Sequence, residues 1–427
     1  MALPVWTNQH IVNNLTRADL QWSGSVITFG FPQVAPAWSW GGEGNGFSDF
    51  TANQKAAARL AISFWDDVAA VDFQETASNP KVTFQNTTTD IGYAHAYFPG
   101  GWGGAGSVWT NPIYNTGTSS LVNPIAGEWG FKALVHEIGH ALGLDHPGDY
   151  SGSVSYETGA WYRQDTSMYT VMSYFDGSET GADWVVSNGH HYYPQTPMMH
   201  DILAIQSLYG KEYGTRSGDT VYGFHSTAGK DVFDFTDNLH PVLCIWDGGG
   251  DTLDLSGFGS SSRIDLRPGT FSDCDQMTNN ISIAVGAWIE NAAGGSGRDV
   301  IRGNWHKNLL EANGGADIIN GGGGGDGISG GAGNDTIFGG KGNDRLAGDA
   351  GADTFVFSNL AAARDVILDF QDGVDVLQIS SNAAGRMADL EIAGQGTNAV
   401  TVTIGNEVIV VKGESAFVLG SDDIIFV

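Results

Sequence analysis

The chain has 427 residues, 41% of them hydrophobic and 11% aromatic. That is enough for roughly two or three domains with buried cores, and too apolar for a disordered chain. Its 48 Asp and Glu against 19 Lys and Arg give a formal charge of −29, which excludes nucleic acid and anionic membrane surfaces as partners because both would repel it. No run reaches the ~18 apolar residues of a membrane span, and the N-terminus lacks the basic and apolar regions of a secretory signal peptide.

Residues 1–213 read as a mixed α and β domain. The segment VITFGF at 26–31 alternates, with Ile27, Phe29 and Phe31 on one face, as a half-buried strand does. A helix is expected over 50–73: Thr51 and Gln54 make a capping box, Phe50 is placed for a staple, and Ala57, Leu60, Ala61, Phe64 and Val68 share a face. Short strands are expected at 81–86 and 106–111.

The segment HEIGHALGLDHP at 136–147 carries metal chemistry. His136 and His140, four apart on an amphipathic helix, project from one face and can chelate one ion. Phe131, Leu134, Val135, Ile138 and Leu142 form the buried face of that helix. Gly143 breaks it and lets His146 complete a set of three imidazoles, while Pro147 stops the helix from resuming. Three neutral nitrogens with an open position suit one catalytic Zn²⁺. Glu137, beside a ligand but turned from the histidine pair, is placed as general base for an attacking water. A further helix is expected over 199–209, with Ile202, Ile205 and Leu208 inward and Gly210 as its stop.

From 294 the sequence repeats every nine residues through seven frames without a slip. Position six is Asp299, Asn308, Asp317, Asp326, Asp335, Asp344 and Asp353; position eight is always apolar, from Ile301 to Phe355. Glycines supply turns and uncovered carbonyls: Gly295, Gly297, Gly315, Gly322, Gly324, Gly331, Gly333, Gly340, Gly342 and Gly351. With the aspartates they offer the oxygen donors that suit several structural Ca²⁺ ions, and the strands between them should stack into a parallel coil. Two nonads make one coil, so Asp317 should share an ion with the turn of Asp335, and Asp326 with that of Asp344. Asn308 interrupts the pattern, and its replacement by alanine is expected to matter little.

HExxHxxGxxH followed by YTVMSYFDG at 169–177 is the metzincin signature. Joined to the nonads, it resembles the serralysins, secreted bacterial zinc metalloproteases with a C-terminal RTX β-roll; HPGDY at 146–150 and DILAIQSLYG at 201–210 share the likeness. The resemblance implies an α+β metzincin-like catalytic domain over 1–213 and a β-roll/β-sandwich over 214–427. It makes His136, His140 and His146 zinc ligands, Glu137 the base, Met172 a floor under the metal, and Tyr174 a switchable ligand that also stabilises the oxyanion. It places further calcium ligands at Arg216, Gly218, Thr220, Asp247, Gly249, Asp251 and Glu290, and at Asp365 and Asp372 in an acidic turn over 363–375. Implied partners are polypeptide substrates lying along an edge strand within 91–111, a small proteinaceous inhibitor and the type I secretion machinery of a Gram-negative bacterium. The last of these would read the terminal SDDIIFV, and the secreted protein would be a monomer. Cys244 and Cys274 depart from a family that commonly lacks cysteine, and allow either one disulfide or two buried thiols. A calcium-dependent adhesion protein with an inactive protease-like half is the rival reading; the intact Glu137 and Tyr174 oppose it.

Overall fold

The computed structural model describes residues 3–37, 42–115, 117, 120–150, 152, 154–358 and 362–427. By its internal contacts the chain divides into two units: residues 1–217 with 240–246 and 277–287, and residues 218–239 with 247–276 and 288–427. Cys244 lies in the first and Cys274 in the second, both as buried thiols.

The first unit contains a six-stranded mixed sheet and helices. Its strands are β1 (Val26–Gly30), β2 (Phe47–Asp49), β3 (Asp72–Glu75), β4 (Val82–Thr87), β5 (Ala94–Ala96) and β6 (Ser107–Thr110). The order is β3-β1-β4-β6-β5, with β1, β3, β4 and β6 parallel, β2 antiparallel to β4, and β5 antiparallel to β6 at the edge. The helices are α1 (Asn8–Leu15), α2 (Ala52–Asp66), α3 (Trp129–Leu142), the single turn α4 (Tyr156–Gly159) and α5 (Met199–Tyr209).

The expected capping box starts α2: Thr51 Oγ1 accepts from the Gln54 N–H, and the Gln54 side chain accepts from the Thr51 N–H at 2.9 Å. Gln54 is itself buried and donates to Asn86 Oδ1 on β4 at 2.7 Å, tying helix to sheet. The expected helix is too long. It ends at Asp66, whose carboxylate accepts from the Phe73 N–H at 3.1 Å, and residues 72–75 turn into β3 instead. Leu60 is only half-buried, because the inward face runs through Ala58, Ile62 and Trp65 as well as Ala57, Ala61 and Phe64.

The second unit is rich in parallel strands of about three residues each, in sheets of seven and ten. Strands pair with a shift of eighteen residues: Val300–Arg302 with Ile318–Asn320, then Thr336–Phe338; and Leu309–Glu311 with Gly327–Ser329, then Arg345–Ala347. Ile301, Leu310, Ile319, Ile328, Ile337, Leu346 and Phe355 are all buried. Each therefore contributes about 1.5–3 kcal/mol of apolar burial to the coil. The terminal apolar residues Ile424–Phe426 form a strand parallel to Val376–Ile379.

Candidate active site

The helix α3 is buried along nearly its whole length, from Phe131 to Leu142, so its histidines are held by packing. Its last carbonyls find side-chain donors: Trp22 Nε1 on Ala141 at 2.9 Å and the Tyr209 hydroxyl on Leu142 at 2.7 Å. Gly143 ends it with φ +111°, and a Cβ there would come 2.1 Å from the Leu20 carbonyl oxygen, so only glycine makes this turn.

The turn brings His136, His140 and His146 together. Their Nε2 atoms are separated by 3.0–3.2 Å, as ligands of one small ion would be, with zinc–nitrogen bonds of about 2.0–2.1 Å. Two tautomers follow from the neighbours. His136 Nδ1 can only donate to the Val171 carbonyl at 2.7 Å, and His140 Nδ1 to that of Leu144 at 2.7 Å, so both Nε2 lone pairs face the shared point. Burial lowers the His140 pKa to about 4 and that of His146 to about 2, the neighbouring His140 and Arg17 adding to the latter. Three neutral imidazoles with no proton between them need a cation, and among the described residues this is the group of three side chains able to hold one.

Glu137 is buried and its Oε2 has no hydrogen-bond partner. Burial, opposed by the charge of Lys132, pushes its pKa up to about 8. An orphaned carboxylate oxygen beside three converging lone pairs fits a hydrated metal ion. Met172 is fully buried, and a Cβ on Gly139 would come 2.5 Å from its sulfur, so the glycine between the two helical histidines makes room for the methionine. Tyr174, 38% exposed, holds its ring 4.7 Å from that of His146 and 5.9 Å from that of His136.

Several supports have no sequence signal of their own. Asp201 on α5 is buried and accepts from the N–H groups of Val171 (2.7 Å) and Met198 (2.8 Å) and from the Thr170 hydroxyl, fixing the loop that carries the His136 acceptor and Met172. Asp165 accepts from Tyr150 (2.9 Å) and Ser173 (2.8 Å). Arg17 pairs with Asp145 at 3.3 Å and donates to the His146 carbonyl, bracing the third histidine. Lys132, also missed, is one that helical spacing could have found, since four residues before His136 is the ligand face of the helix.

In the second unit the repeat aspartates form ladders. Asp317, Asp326, Asp335 and Asp353 each accept, at Oδ1, the N–H of the residue eighteen or more positions earlier; so do Asp344 and Asp365. The Oδ2 atoms of Asp317, Asp326, Asp335, Asp344 and Asp353 are buried without partners. Burial, with repulsion from neighbouring carboxylates, pushes Asp317, Asp326, Asp353 and Asp365 up to about 7. A Cβ on Gly333, Gly342 or Gly351 would lie 1.3–1.6 Å from the carbonyl oxygen of Gly315, Gly324 or Gly333. Gly331 and Gly340 likewise face the carbonyls of Asn313 and Gly322, and Gly322 and Gly324 those of Asn304 and His306. Asp299 accepts from the N–H groups of Ser262 and Gly295, and Gly297 crowds the backbone of Ser260. Rows of glycine carbonyls and unpartnered carboxylate oxygens form a cradle suited to a hard cation.

Thr220, Asp247, Gly249, Asp251 and Glu290 also come together: Asp251 accepts from the N–H groups of Thr220 (2.9 Å) and Gly249 (3.1 Å), and donates its own to Glu290 at 2.9 Å. The Gly218 carbonyl accepts from the Thr220 hydroxyl at 3.2 Å, and Asp247 accepts from Tyr222 at 2.6 Å. Arg216 belongs to the first unit, where its guanidinium pairs with Asp67 at 2.9 Å.

Asp372 is exposed, and Asp375, three residues on, is buried and accepts from the Asp353 N–H at 3.0 Å. One expectation is corrected. Asn308 is not a spare position: buried, it accepts from the Asn304 N–H at 2.9 Å and donates to the Glu290 carbonyl at 2.7 Å, so alanine there would strand both groups.

Known proteins share these features. A family model described as Peptidase M10 serralysin C terminal matches residues 211–407. The metalloprotease AprA of Pseudomonas entomophila is 43% identical over 95% of this chain and 83% of its own length. A serralysin of Proteus mirabilis is 41% identical over 89% and 80%, and serralysin G of Dickeya chrysanthemi 39% identical over 72% and 67%. With identity of this order running through both the histidine-bearing unit and the glycine-aspartate repeats, the chain belongs to the serralysin family.

Proposed function

We infer that this chain is a secreted zinc metalloendopeptidase of metzincin type that hydrolyses internal peptide bonds of proteins. The observation that carries the reading is the convergence of three Nε2 lone pairs beside the unpartnered, buried Oε2 of Glu137. His136, His140 and His146 would hold the ion, with Tyr174 as a further, displaceable ligand. When bound, zinc supplies Lewis acidity and brings the pKa of water down to about 7. Glu137 takes the proton of the attacking water at Oε2 and passes it to the leaving amine. The Tyr174 phenol, which burial keeps protonated, donates a hydrogen bond to the oxyanion. The edge strand β5 offers an unpaired side, and a substrate running antiparallel to it would lie over the histidines.

The catalytic domain would span 1–213 and the calcium-binding domain 214–427. Calcium ions in the roll would be held by the glycine carbonyls and aspartates described above, with Asp365, Asp372 and Asp375 beyond the last nonad, and by Gly218, Thr220, Asp247, Gly249, Asp251 and Glu290 around a separate ion. Low calcium would leave the roll unfolded for type I export, and external calcium would fold it. A small proteinaceous inhibitor occupying the cleft, and a monomeric enzyme, complete the reading. The test is casein hydrolysis before and after a zinc-selective chelator, with zinc restored afterwards. Activity lost and regained, and absent from Glu137→Ala, is expected; hydrolysis that persists without zinc overturns the reading.

A further inference from the structure

Lys132 stands on the ligand face of α3, four residues before His136 and eight before His140. Its ammonium donates to the Ser173 carbonyl at 3.0 Å, in the segment between Met172 and Tyr174. Among the described residues it makes no ion pair, and it is the one cationic side chain lining a cleft of about 840 Å³ that also contains Trp129, Glu137 and Tyr174. Burial opposes its charge more than the surrounding Asp201, Asp176 and Glu137 support it, bringing its pKa down to about 8. A cation left partly desolvated, with donors to spare, gains most from an incoming anion.

The cleft lies toward one end of the edge strand. Lys132 shares it with Ile91, Tyr93 and Ala94, whereas a second hollow beside His140 and His146 runs along Ala94, Ala96 and Phe98. A substrate antiparallel to β5 runs from Phe98 toward Ile91, so its leaving-amine half passes over Lys132.

We propose that Lys132 is a specificity-determining residue, selecting substrates with a glutamate or aspartate just after the scissile bond. The proposal rests on the protease reading above. The side chain acts by pairing with a substrate carboxylate. That group could also be a chain terminus, so the probes must separate the two sources.

The experiment compares end-blocked fluorogenic peptides identical except for Glu or Gln after the cleaved bond, together with the Gln peptide carrying a free C-terminal carboxylate. For the zinc-loaded wild type, kcat/KM should favour Glu over Gln by about tenfold, the size of one charge-assisted hydrogen bond. Lys132→Gln, which keeps a donor for the Ser173 carbonyl, should bring the ratio to about one. A residue that only tethers Ser173 or tunes Glu137 would alter both peptides equally and leave the ratio unchanged, which overturns the proposal. A wild-type ratio near one, or a gain seen with the free terminus and not with Glu, overturns it too. Cleavage of the Gln peptide in any of these cases leaves the protease reading intact; no cleavage of any peptide sinks that reading instead.

Discussion

The two units hold their acidic and basic groups by opposite means. In the first, the histidines are set by protein atoms: a buried helix, carbonyl acceptors on Val171 and Leu144, and Asp201 behind the loop. In the second, five aspartates keep buried oxygens without partners and repel one another through the stack. A site preorganised by packing loses chemistry when its metal leaves. A stack of unpartnered carboxylates would, on the calcium reading proposed above, lose its structure. On the proposed reading the metal would carry function in one unit and folding in the other.

Substitutions should separate these roles. Glu137→Ala removes a carboxylate from the first unit and should lower kcat/KM at least about a thousandfold, the order of a general base together with water orientation. Zinc content and melting temperature should stay near wild type, since Glu137 Oε2 bonds to nothing; metal analysis beside the assay checks both. Tyr174→Phe should reduce kcat about a hundredfold with little change in KM, because the phenol is proposed to act on the transition state. An unchanged kcat would make it a packing residue. In the second unit Asp335→Ala should leave the zinc-loaded cleft competent yet raise the calcium needed for folding by about tenfold, since Asp335 serves the turns of Asp317 and Asp353 together. Calcium titration by circular dichroism reads that midpoint.

Acid should have a smaller effect on the roll. Asp317, Asp326, Asp353 and Asp365 have pKa values raised to about 7 in the metal-free fold, against the ordinary 3.8. Their ionisation therefore opposes folding: stability is fully present below about pH 4 and is lost as pH rises through about 7. Calcium-stripped protein should gain ordered strand between pH 8 and pH 5. A loss over that range would mean the carboxylates are not what opens the roll.

How much of this was legible follows from how each element is encoded. The nonads were read almost entirely, because their nine-residue period fixes which side chains point inward and which strands pair; the bonds of Asn308 and the turn before Asp375 were not. The zinc triad was legible because helical spacing and a single breaking glycine determine it. The strands β2 and β3 were missed, since FSD and DFQE are too short and too polar to alternate, whereas the edge strand expected within 91–111 is β5. The helix α2 was overextended because nothing in the apolar spacing announces the Asp66 turn. Backbone acceptors such as those of Val171 and Leu144 leave no trace in sequence, and Arg17 and Asp201 reach the site from distant segments.

The most direct measurement is hydrogen exchange on the holoprotein, followed by peptide-level mass spectrometry, after calcium is removed and zinc retained. Residues 290–375 should lose protection while 129–146 keep theirs, and zinc should remain bound. Protection of the repeats in excess calcium chelator, or simultaneous loss in both segments, would contradict the account that packing organises one unit and ions the other.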